Sequence, residues 1–120
     1  MERHVLPQTL ASEDAERIVT LFRALSDPTR LRLVLRLSHE PCNVTNLVRA
    51  LDLPQSTVSR HLSVLRGARL VVSERRGASS MYRMADSHLR SLLLEAFAHA
   101  EHERLGIADH AAAHRPKSTR

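Results

Sequence analysis

Three histidines and an aspartate near the end of the chain have the residue types of a metal site. They are Asp86, His88, His99 and His102. Imidazole nitrogens and carboxylate oxygens are ligands that Zn, Ni and Co accept. On a helix, His88 and His99 share a face to within about 20°, and His102 lies one turn beyond His99. We predict that these four side chains bind a metal ion.

One copy of such a helix cannot bring all four donors to one ion. His88 and His99 would lie roughly 16 Å apart along the axis, whereas metal–nitrogen bonds are about 2 Å long. An antiparallel second copy would bring Asp86 and His88 of one protomer beside His99 and His102 of the other, and two-fold symmetry then makes two equivalent sites. The alternative is that these histidines are solvated surface residues.

Residues 54–66 have the two faces of a helix that enters a DNA groove. The apolar stripe is Val58, Leu62 and Leu65, and the opposite side carries Ser56, Ser59, Arg60 and Ser63. A short amphipathic run, 44–51, precedes this stretch, and Pro54 interrupts helical continuation. We therefore predict a helix-turn-helix with 54–66 as its recognition helix. The alternative is an ordinary amphipathic helix in a small bundle.

Other elements must position these two groups. Helical spacing of apolar residues predicts helices over 12–25, with Ile18, Leu21, Phe22 and Leu25 as the stripe, and over 29–38, with Leu31, Val34 and Leu35 buried. Alternation predicts strands at 70–76 and 79–84 around a turn at Gly77 and Ala78. Arg75 and Arg76 would lie at the tip of this hairpin. The fold class is therefore mainly α with a small β-hairpin, arranged as a winged helix-turn-helix.

A final helix, 86–103, has a wide apolar stripe. Its members are Leu89, Leu92, Leu93, Ala96, Phe97 and Ala100. So much apolar surface on a terminal helix indicates burial against a second copy, and we expect a homodimer formed through the N- and C-terminal helices. The expected organisation is a flexible arm at 1–11, a winged helix-turn-helix DNA-binding and dimerisation domain at 12–104, and a flexible basic, His-containing tail at 105–120.

Composition limits the class of protein. Of the 120 residues, 42% are hydrophobic but only 2% are aromatic, so the core must be aliphatic. The net charge of +5 favours a polyanionic partner. Apolar runs are too short to span a membrane, so we expect no membrane partner. The single cysteine, Cys42, excludes an internal disulfide and indicates a cytoplasmic protein.

Taken together, these features resemble the ArsR/SmtB family of bacterial metal-sensing winged-helix regulators. The resemblance covers residues 13–105 and rests on three motifs: Ala24-Leu-Ser-Asp-Pro-Thr-Arg-Leu-Arg-Leu33, Gln55-Ser-Thr-Val-Ser-Arg-His-Leu62 and the four metal-ligand candidates. It implies a homodimer that binds double-stranded operator DNA when metal-free and more weakly when metal is bound. It also implies that His99 donates to the backbone carbonyl near Arg69, which would link metal and DNA sites.

The resemblance also assigns the DNA contacts. We expect them from the recognition helix and the wing: Gln55, Ser56, Thr57, Ser59, Arg60, His61, Arg75 and Arg76. Two positions depart from the family pattern. Pro54 stands where many members have a capping Ser, so we expect Asp52 to cap the recognition helix. Arg69 stands where Gly is common.

The donor set limits the metal. Some family members hold thiophilic metals through Cys-Val-Cys-Asp on the helix before the recognition helix, whereas residues 43–46 here are Asn-Val-Thr-Asn. One carboxylate and three imidazoles suit Zn in a tetrahedral site, or Ni, with Co as a surrogate, if the shell expands to six. Extra donors would come from His4, His110 and His114.

Three other functions compete with this interpretation. One is a regulator of the same fold without metal-driven release, acting as an activator or with an unknown accessory protein. Another is a protein-interaction module that uses the apolar last helix. The third is a metalloenzyme, which is disfavoured because catalysis needs an open coordination position with a base beside it, and neither Glu95 nor Glu101 of the last helix is obviously placed as that base. We therefore predict a metal-responsive transcriptional repressor and not an enzyme.

Overall fold

A computed structural model describes residues 5–114, with side chains described for 5–106. Its elements are α1 (Ser12–Leu25), α2 (Pro28–Leu37), α3 (Val44–Leu51), α4 (Gln55–Gly67), β1 (Val71–Arg76), β2 (Ser79–Met84) and α5 (Ser87–His114). This order of helices and hairpin is the predicted one. The chain forms two compact units, Met1–Ala85 and Asp86–Arg120. The predicted domain limits, 12–104, stay a prediction.

The core of the first unit is aliphatic, as the composition predicts. The side chains that are almost completely buried are Leu33, Val34, Cys42, Leu47, Val58, Leu62, Leu65 and Val71. Val58, Leu62 and Leu65 are the predicted stripe of α4, and each is at most 1% exposed. The polar face of α4 is therefore turned outward by the packing of its own opposite face.

The predicted buried face of α2 is wrong at two positions. Leu31 and Leu35 are each 39% exposed, whereas Leu33 and Leu37 are buried together with Val34. Spacings of three and four residues through Val34 fit either set, so the sequence period did not distinguish the two faces. Asp27 fixes where this helix begins: its Oδ2 accepts from the Arg30 amide at 3.0 Å, and Pro28 occupies the first turn.

The stripe predicted for α1 is also only partly buried. Leu25 is 7% exposed, but Ile18 and Phe22 are 42% and 53% exposed. Ser12 is the first helical residue and is not a cap, since Ala11 occupies the N-cap position without a side-chain hydrogen bond.

The two-stranded wing is held to the helical part by backbone hydrogen bonds. β1 pairs antiparallel with β2, and Val71 lies opposite Met84. The Cys42 amide donates to the Tyr82 carbonyl at 3.0 Å, and the Tyr82 amide donates to the Cys42 carbonyl at 2.7 Å. An isolated two-stranded ribbon is marginally stable in water, and this bridge to the α2–α3 connector stabilises it.

The second unit is built on one long helix. The backbone of α5 is helical as far as His114. The predictions that this helix ends near Glu103 and that a flexible tail begins at Leu105 are therefore wrong. Leu89 and Leu93 of the predicted stripe are buried, at 4% and 6% exposure, whereas Phe97 is 49% exposed. Residues 1–4 and 115–120, which belong to the predicted arm and tail, lie outside the described residues. Among the described residues, no helix is both long and apolar enough to cross a membrane.

Candidate DNA-binding surface and metal ligands

The recognition helix α4 presents four of its predicted DNA contacts to solvent: Gln55, Ser56, Ser59 and Arg60. These short or flexible polar side chains lie opposite the buried stripe. A helix with this profile fits the major groove, where hydroxyl, amide and guanidinium groups reach base edges and phosphates. The exposed polar face thus has the chemistry expected for DNA.

The turn before α4 is formed by a residue in the left-handed conformation. Asp52 has a φ of 56° and ends α3; its amide donates to the Val48 carbonyl at 2.8 Å. The expectation that Asp52 caps α4 is wrong, since the N-cap position of α4 belongs to another residue and no side-chain hydrogen bond caps the helix. Pro54 occupies the N-cap of α4 with no side-chain hydrogen bond.

The end of α4 is closed by a second left-handed residue, Arg69, with a φ of 63°. The Arg69 amide donates to the Arg66 carbonyl at 2.9 Å, and the Leu70 amide donates to the Leu65 carbonyl at 3.0 Å. This pair of bonds is the Schellman motif, which favours glycine at the left-handed position. The structure thus explains why glycine is favoured at this position, and Arg69 carries the backbone strain instead.

Two predicted contacts, Thr57 and His61, are half-buried. His61 Nδ1 lies 3.2 Å from Arg30 Nη1, and Arg30 Nε donates to the Ala24 carbonyl at 2.6 Å. His61 therefore faces the junction of α1 and α2, and its role in DNA contact stays a prediction. Arg30 is the residue that sequence reasoning missed, because only the fold shows that it joins this junction to α4.

The same junction contains the one carboxyl in the described residues whose pKa is clearly shifted. The Arg30 amide donates to Asp27, and this hydrogen bond holds the pKa of the Asp27 carboxyl below its ordinary value. The positive charge of Arg30 lowers this pKa further. An ionised Asp27 thus stabilises the first turn of α2, and Arg30 of that turn lies against His61 of α4.

The wing tip presents Arg75 and Arg76 to solvent, as predicted. Gly77 turns the chain with a φ of 62°. Arg76 Nη2 lies 4.0 Å from Glu74 Oε2, and these side chains are 62% and 55% exposed. Such an exposed pair is weak, so Arg76 is available to a phosphate.

The four metal-ligand candidates are all exposed and all lie in the second unit. Asp86 caps α5, since its Oδ1 accepts from the Leu89 amide at 3.1 Å, which engages one of its two carboxylate oxygens. His88, His99 and His102 project from one uninterrupted helix. Among the described residues of one chain, no three His, Cys, Asp or Glu side chains are placed to hold an ion.

The three terminal histidines proposed as extra donors are less well defined. His4 lies outside the described residues. His110 and His114 belong to the backbone of α5, and their side chains lie outside the description. Their participation stays a prediction.

Comparisons with known proteins agree with this fold and surface. The family model described as "Bacterial regulatory protein, arsR family" matches residues 27–73. The HTH-type transcriptional regulator NmtR of Mycobacterium tuberculosis is 41% identical over 100 residues, which is 83% of this chain and 83% of that protein.

Two solved structures are similar. The NMR structure of the cadmium metal-sensor CmtR from M. tuberculosis matches with a TM-score of 0.58 and 45% identity, over 64% of this chain and 80% of that one. A homodimeric winged helix-turn-helix DNA-binding domain from Mycobacterium bovis, Mb0332, matches with a TM-score of 0.72, over 81% of this chain and 93% of that one. Its identity of 21% supports the fold alone. The chain belongs to the ArsR family of bacterial regulatory proteins and is a DNA-binding transcriptional regulator, not an enzyme.

Proposed function

We propose that Ni or Zn is the signal to which this metal-responsive DNA-binding regulator answers, and that the ion, bound across a homodimer, weakens operator binding. The observation that carries the proposal is α5, one continuous helix with Asp86, His88, His99 and His102 exposed along it. The similar protein CmtR is itself a metal sensor. We place the protein in the cytoplasm, where its DNA lies.

The spacing on α5 supports a site shared by two chains. His99 and His102 are one turn apart, with a rise of about 4.5 Å, so both can reach one ion. His88 is about 16 Å from His99 along the axis and cannot join them. Asp86 and His88 of one protomer therefore complete the site formed by His99 and His102 of the other. The similar domain Mb0332 is a homodimer.

The donors fit Zn or Ni better than a thiophilic metal. The one cysteine, Cys42, is 2% exposed, and its Sγ lies 3.6 Å from the Glu40 carbonyl. A buried thiol among backbone groups is poorly placed as a ligand. Imidazole and carboxylate suit tetrahedral Zn, and six-coordinate Ni or Co would take further donors from His4, His110 or His114.

DNA binding uses the exposed face of α4 together with the wing. Arg76→Ala should lower the slope of log K against log salt by about 0.9, the value for one phosphate contact. Fluorescence anisotropy of operator DNA over a salt series measures this slope. Arg17→Ala, which changes an exposed arginine of α1, is the control. An unchanged slope would remove Arg76 from the interface.

Metal and DNA sites must be coupled for regulation. We propose that His99 carries this coupling through its second ring N–H, which a metal-ligating histidine usually donates to a nearby acceptor. His99→Asp keeps a metal donor but has no ring N–H. We expect this variant to bind metal and to keep its DNA affinity when metal is added.

The central experiment is to titrate Ni and Zn separately into the apo dimer bound to its promoter DNA. One ion per protomer should weaken DNA binding by about 5- to 150-fold, the usual range of such coupling. His88→Gln should lose this response, whereas His39→Gln, an exposed histidine outside the set, should keep it. If both metals bind and neither changes the DNA affinity, the site is structural or acts with an accessory protein.

A further inference from the structure

The guanidinium of Arg30 joins three helices within the Met1–Ala85 unit. Its Nε donates to the Ala24 carbonyl at 2.6 Å, and its Nη2 donates to the Arg23 carbonyl at 3.4 Å. Both carbonyls lie in the last turn of α1. In a continuing helix the Ala24 carbonyl would accept from the amide of residue 28, but Pro28 has no N–H. Arg30 therefore satisfies the end of α1, and its third nitrogen, Nη1, reaches His61 of α4.

The contact between Arg30 and His61 requires one protonation state of the imidazole. Arg30 Nη1 lies 3.2 Å from His61 Nδ1, and a guanidinium nitrogen can only donate a hydrogen bond. The Nδ1 atom must therefore accept, which requires a neutral ring with its proton on Nε2. A protonated His61 would present a second N–H and a second positive charge to Arg30, so this hydrogen bond would be lost.

The surroundings of His61 offer a protonated ring no substitute within this contact. Its charged neighbours, Arg30 and Asp27, come from the first turn of α2 and its cap. From α1, the carbonyls of Arg23 and Ala24 already accept from Arg30. The other elements that pack on α4, α3 and β1, give His61 no hydrogen bond or ion pair among residues 5–106. Asp27 is the group that attracts a protonated ring, and a turn toward it takes His61 away from Arg30.

The same contact restrains the rotation of α4 about its own axis. The buried stripe of Val58, Leu62 and Leu65 fixes the side of α4 that faces the core. His61 lies about 60° around the helix from Val58, so its hydrogen bond adds a directional restraint at the flank of this stripe. Within residues 5–106, no other side-chain hydrogen bond or ion pair joins α4 to another element, and Pro54 supplies no side-chain cap.

Small rotations of α4 matter because its outer face carries the predicted DNA contacts. Side-chain atoms of Ser56, Ser59 and Arg60 lie roughly 6 Å from the helix axis, so a rotation of about 20° would move them by roughly 2 Å. Hydrogen bonds to base edges and phosphates span only about 2.7 to 3.2 Å between heavy atoms. A restraint on rotation therefore acts on DNA affinity without touching the DNA.

We propose that Arg30 is a positioning residue for DNA recognition, which orients α4 through a neutral His61, and that protonation of His61 releases α4 and weakens operator binding. In this role His61 acts through the helix and not by the direct DNA contact predicted from the sequence. The inference rests on the DNA-binding function of the family and not on the proposed metal response. Because its test uses metal-free protein, its failure would leave that response unaffected.

The test measures the operator affinity of the metal-free dimer by fluorescence anisotropy at fixed salt, from about pH 8 to about pH 5, where imidazoles titrate. Each protein is compared with itself across this range. His61→Asn keeps an acceptor, Oδ1, near the place of Nδ1 and cannot take up a proton. On acidification the affinity of the parent should fall about tenfold more than that of His61→Asn, the effect of losing one hydrogen bond to a charged group.

Matched variants separate this effect from other titrations. The remaining histidines are common to the parent and His61→Asn, so their contributions cancel in the comparison. His39→Gln, which changes an exposed histidine just after α2, should keep the pH profile of the parent. His61→Leu has an apolar body but no acceptor, so at pH 8 it should bind operator about tenfold more weakly than His61→Asn.

Arg30→Met tests the positioning role directly. It should weaken operator binding about tenfold, while the slope of log K against log salt stays that of the parent, because Arg30 is half-buried in the helix junction. Adding His61→Leu should cost little more, since both changes remove the same contact. If Arg30→Met does not fold, His61→Asn and His61→Leu still decide the proposal, because both leave the bond to Ala24 intact.

Three results would overturn the proposal: the same pH profile for the parent and His61→Asn, parental affinity in Arg30→Met, or a salt slope lowered by about one unit in Arg30→Met. The last result would make Arg30 a phosphate contact. If the affinity of the parent instead rises on acidification relative to His61→Asn, His61 contacts a phosphate directly and the positioning role is wrong.

Discussion

The recognition helix α4 buries its apolar stripe, whereas the last helix α5 leaves large apolar side chains exposed. In α4, Val58, Leu62 and Leu65 are at most 1% exposed, and the helix is stopped by a defined motif at Arg69. In α5, Leu94 and Phe97 are 64% and 49% exposed, and the helix runs on to His114. The apolar stripe of α4 is fully buried within its own unit, whereas α5 leaves apolar surface in water.

This difference separates two requirements of a regulator. A helix that reads DNA must keep one orientation, and a fully buried face fixes it. A helix that joins two protomers must keep apolar area for its partner, because burial of that area drives association. A second copy of the chain would cover the exposed large apolar side chains of α5, and it is also what the proposed metal site needs.

The largest loss of folding stability should come from a substitution in the buried face of α4. Leu62→Ala removes a side chain that is 1% exposed and should lower the free energy of unfolding by about 3 kcal/mol. Val64→Ala, on the same helix but at 40% exposure, should cost less than about 1 kcal/mol. Urea unfolding measures both. Equal losses would mean that α4 is not fixed by this face.

The exposed face of α5 should instead control association. Phe97→Ala should raise the dimer dissociation constant about tenfold or more, as expected for a large aromatic side chain in an interface. Sedimentation equilibrium measures it, with Ser91→Ala, an exposed small residue of α5, as the control. Unchanged association of the Phe97 variant would place the dimer interface elsewhere.

A smaller effect should appear at the end of α4. Arg69 has a φ of 63°, a conformation that costs non-glycine residues roughly 1 kcal/mol. Arg69→Gly should therefore raise the free energy of unfolding by up to about 1 kcal/mol. Arg66→Gly, inside the helix, should lower it by a similar amount. A loss of stability in Arg69→Gly would show that its side chain matters more than its backbone strain.

The smallest effect should come from Asp27, and it should depend on pH. Its folded-state pKa is lowered by the Arg30 amide, so ionisation stabilises the folded state above the ordinary pKa, and this contribution is lost as pH falls through the lowered value. Asp27→Asn keeps an acceptor but has no charge. The parent should be more stable than Asp27→Asn at neutral pH, and the difference should shrink only as the pH falls below about 4 and through the lowered pKa of Asp27. A constant difference in thermal midpoint across this range would contradict the linkage.

Much of the fold could be predicted because the helices and the hairpin have clear periods and stop signals. The sequence of α4 allows one choice of buried face, since the opposite face is polar throughout. The sequence of α2 allows two choices, because leucines occur at 31, 33, 35 and 37, and only packing selects between them. The end of α5 was missed because alanine favours helix even where the apolar stripe ends.

The residue types of the candidate DNA-contact site could be predicted, but the contacts that hold its helix in place could not. Gln55, Ser59 and Arg60 were identified from the pattern, and the structure exposes them. The contact between Arg30 and His61 joins residues far apart in sequence, and no local period encodes it.

The bridge between Cys42 and Tyr82 has a kinetic consequence. These residues are far apart in sequence, so their two hydrogen bonds close a long loop and add to the contact order of the first unit. The local helices can form before this loop closes, and we expect the wing to dock late in folding. Once docked, the Tyr82 amide should be among the slowest of the wing to exchange with deuterium, while the amides at the Gly77 tip exchange fast.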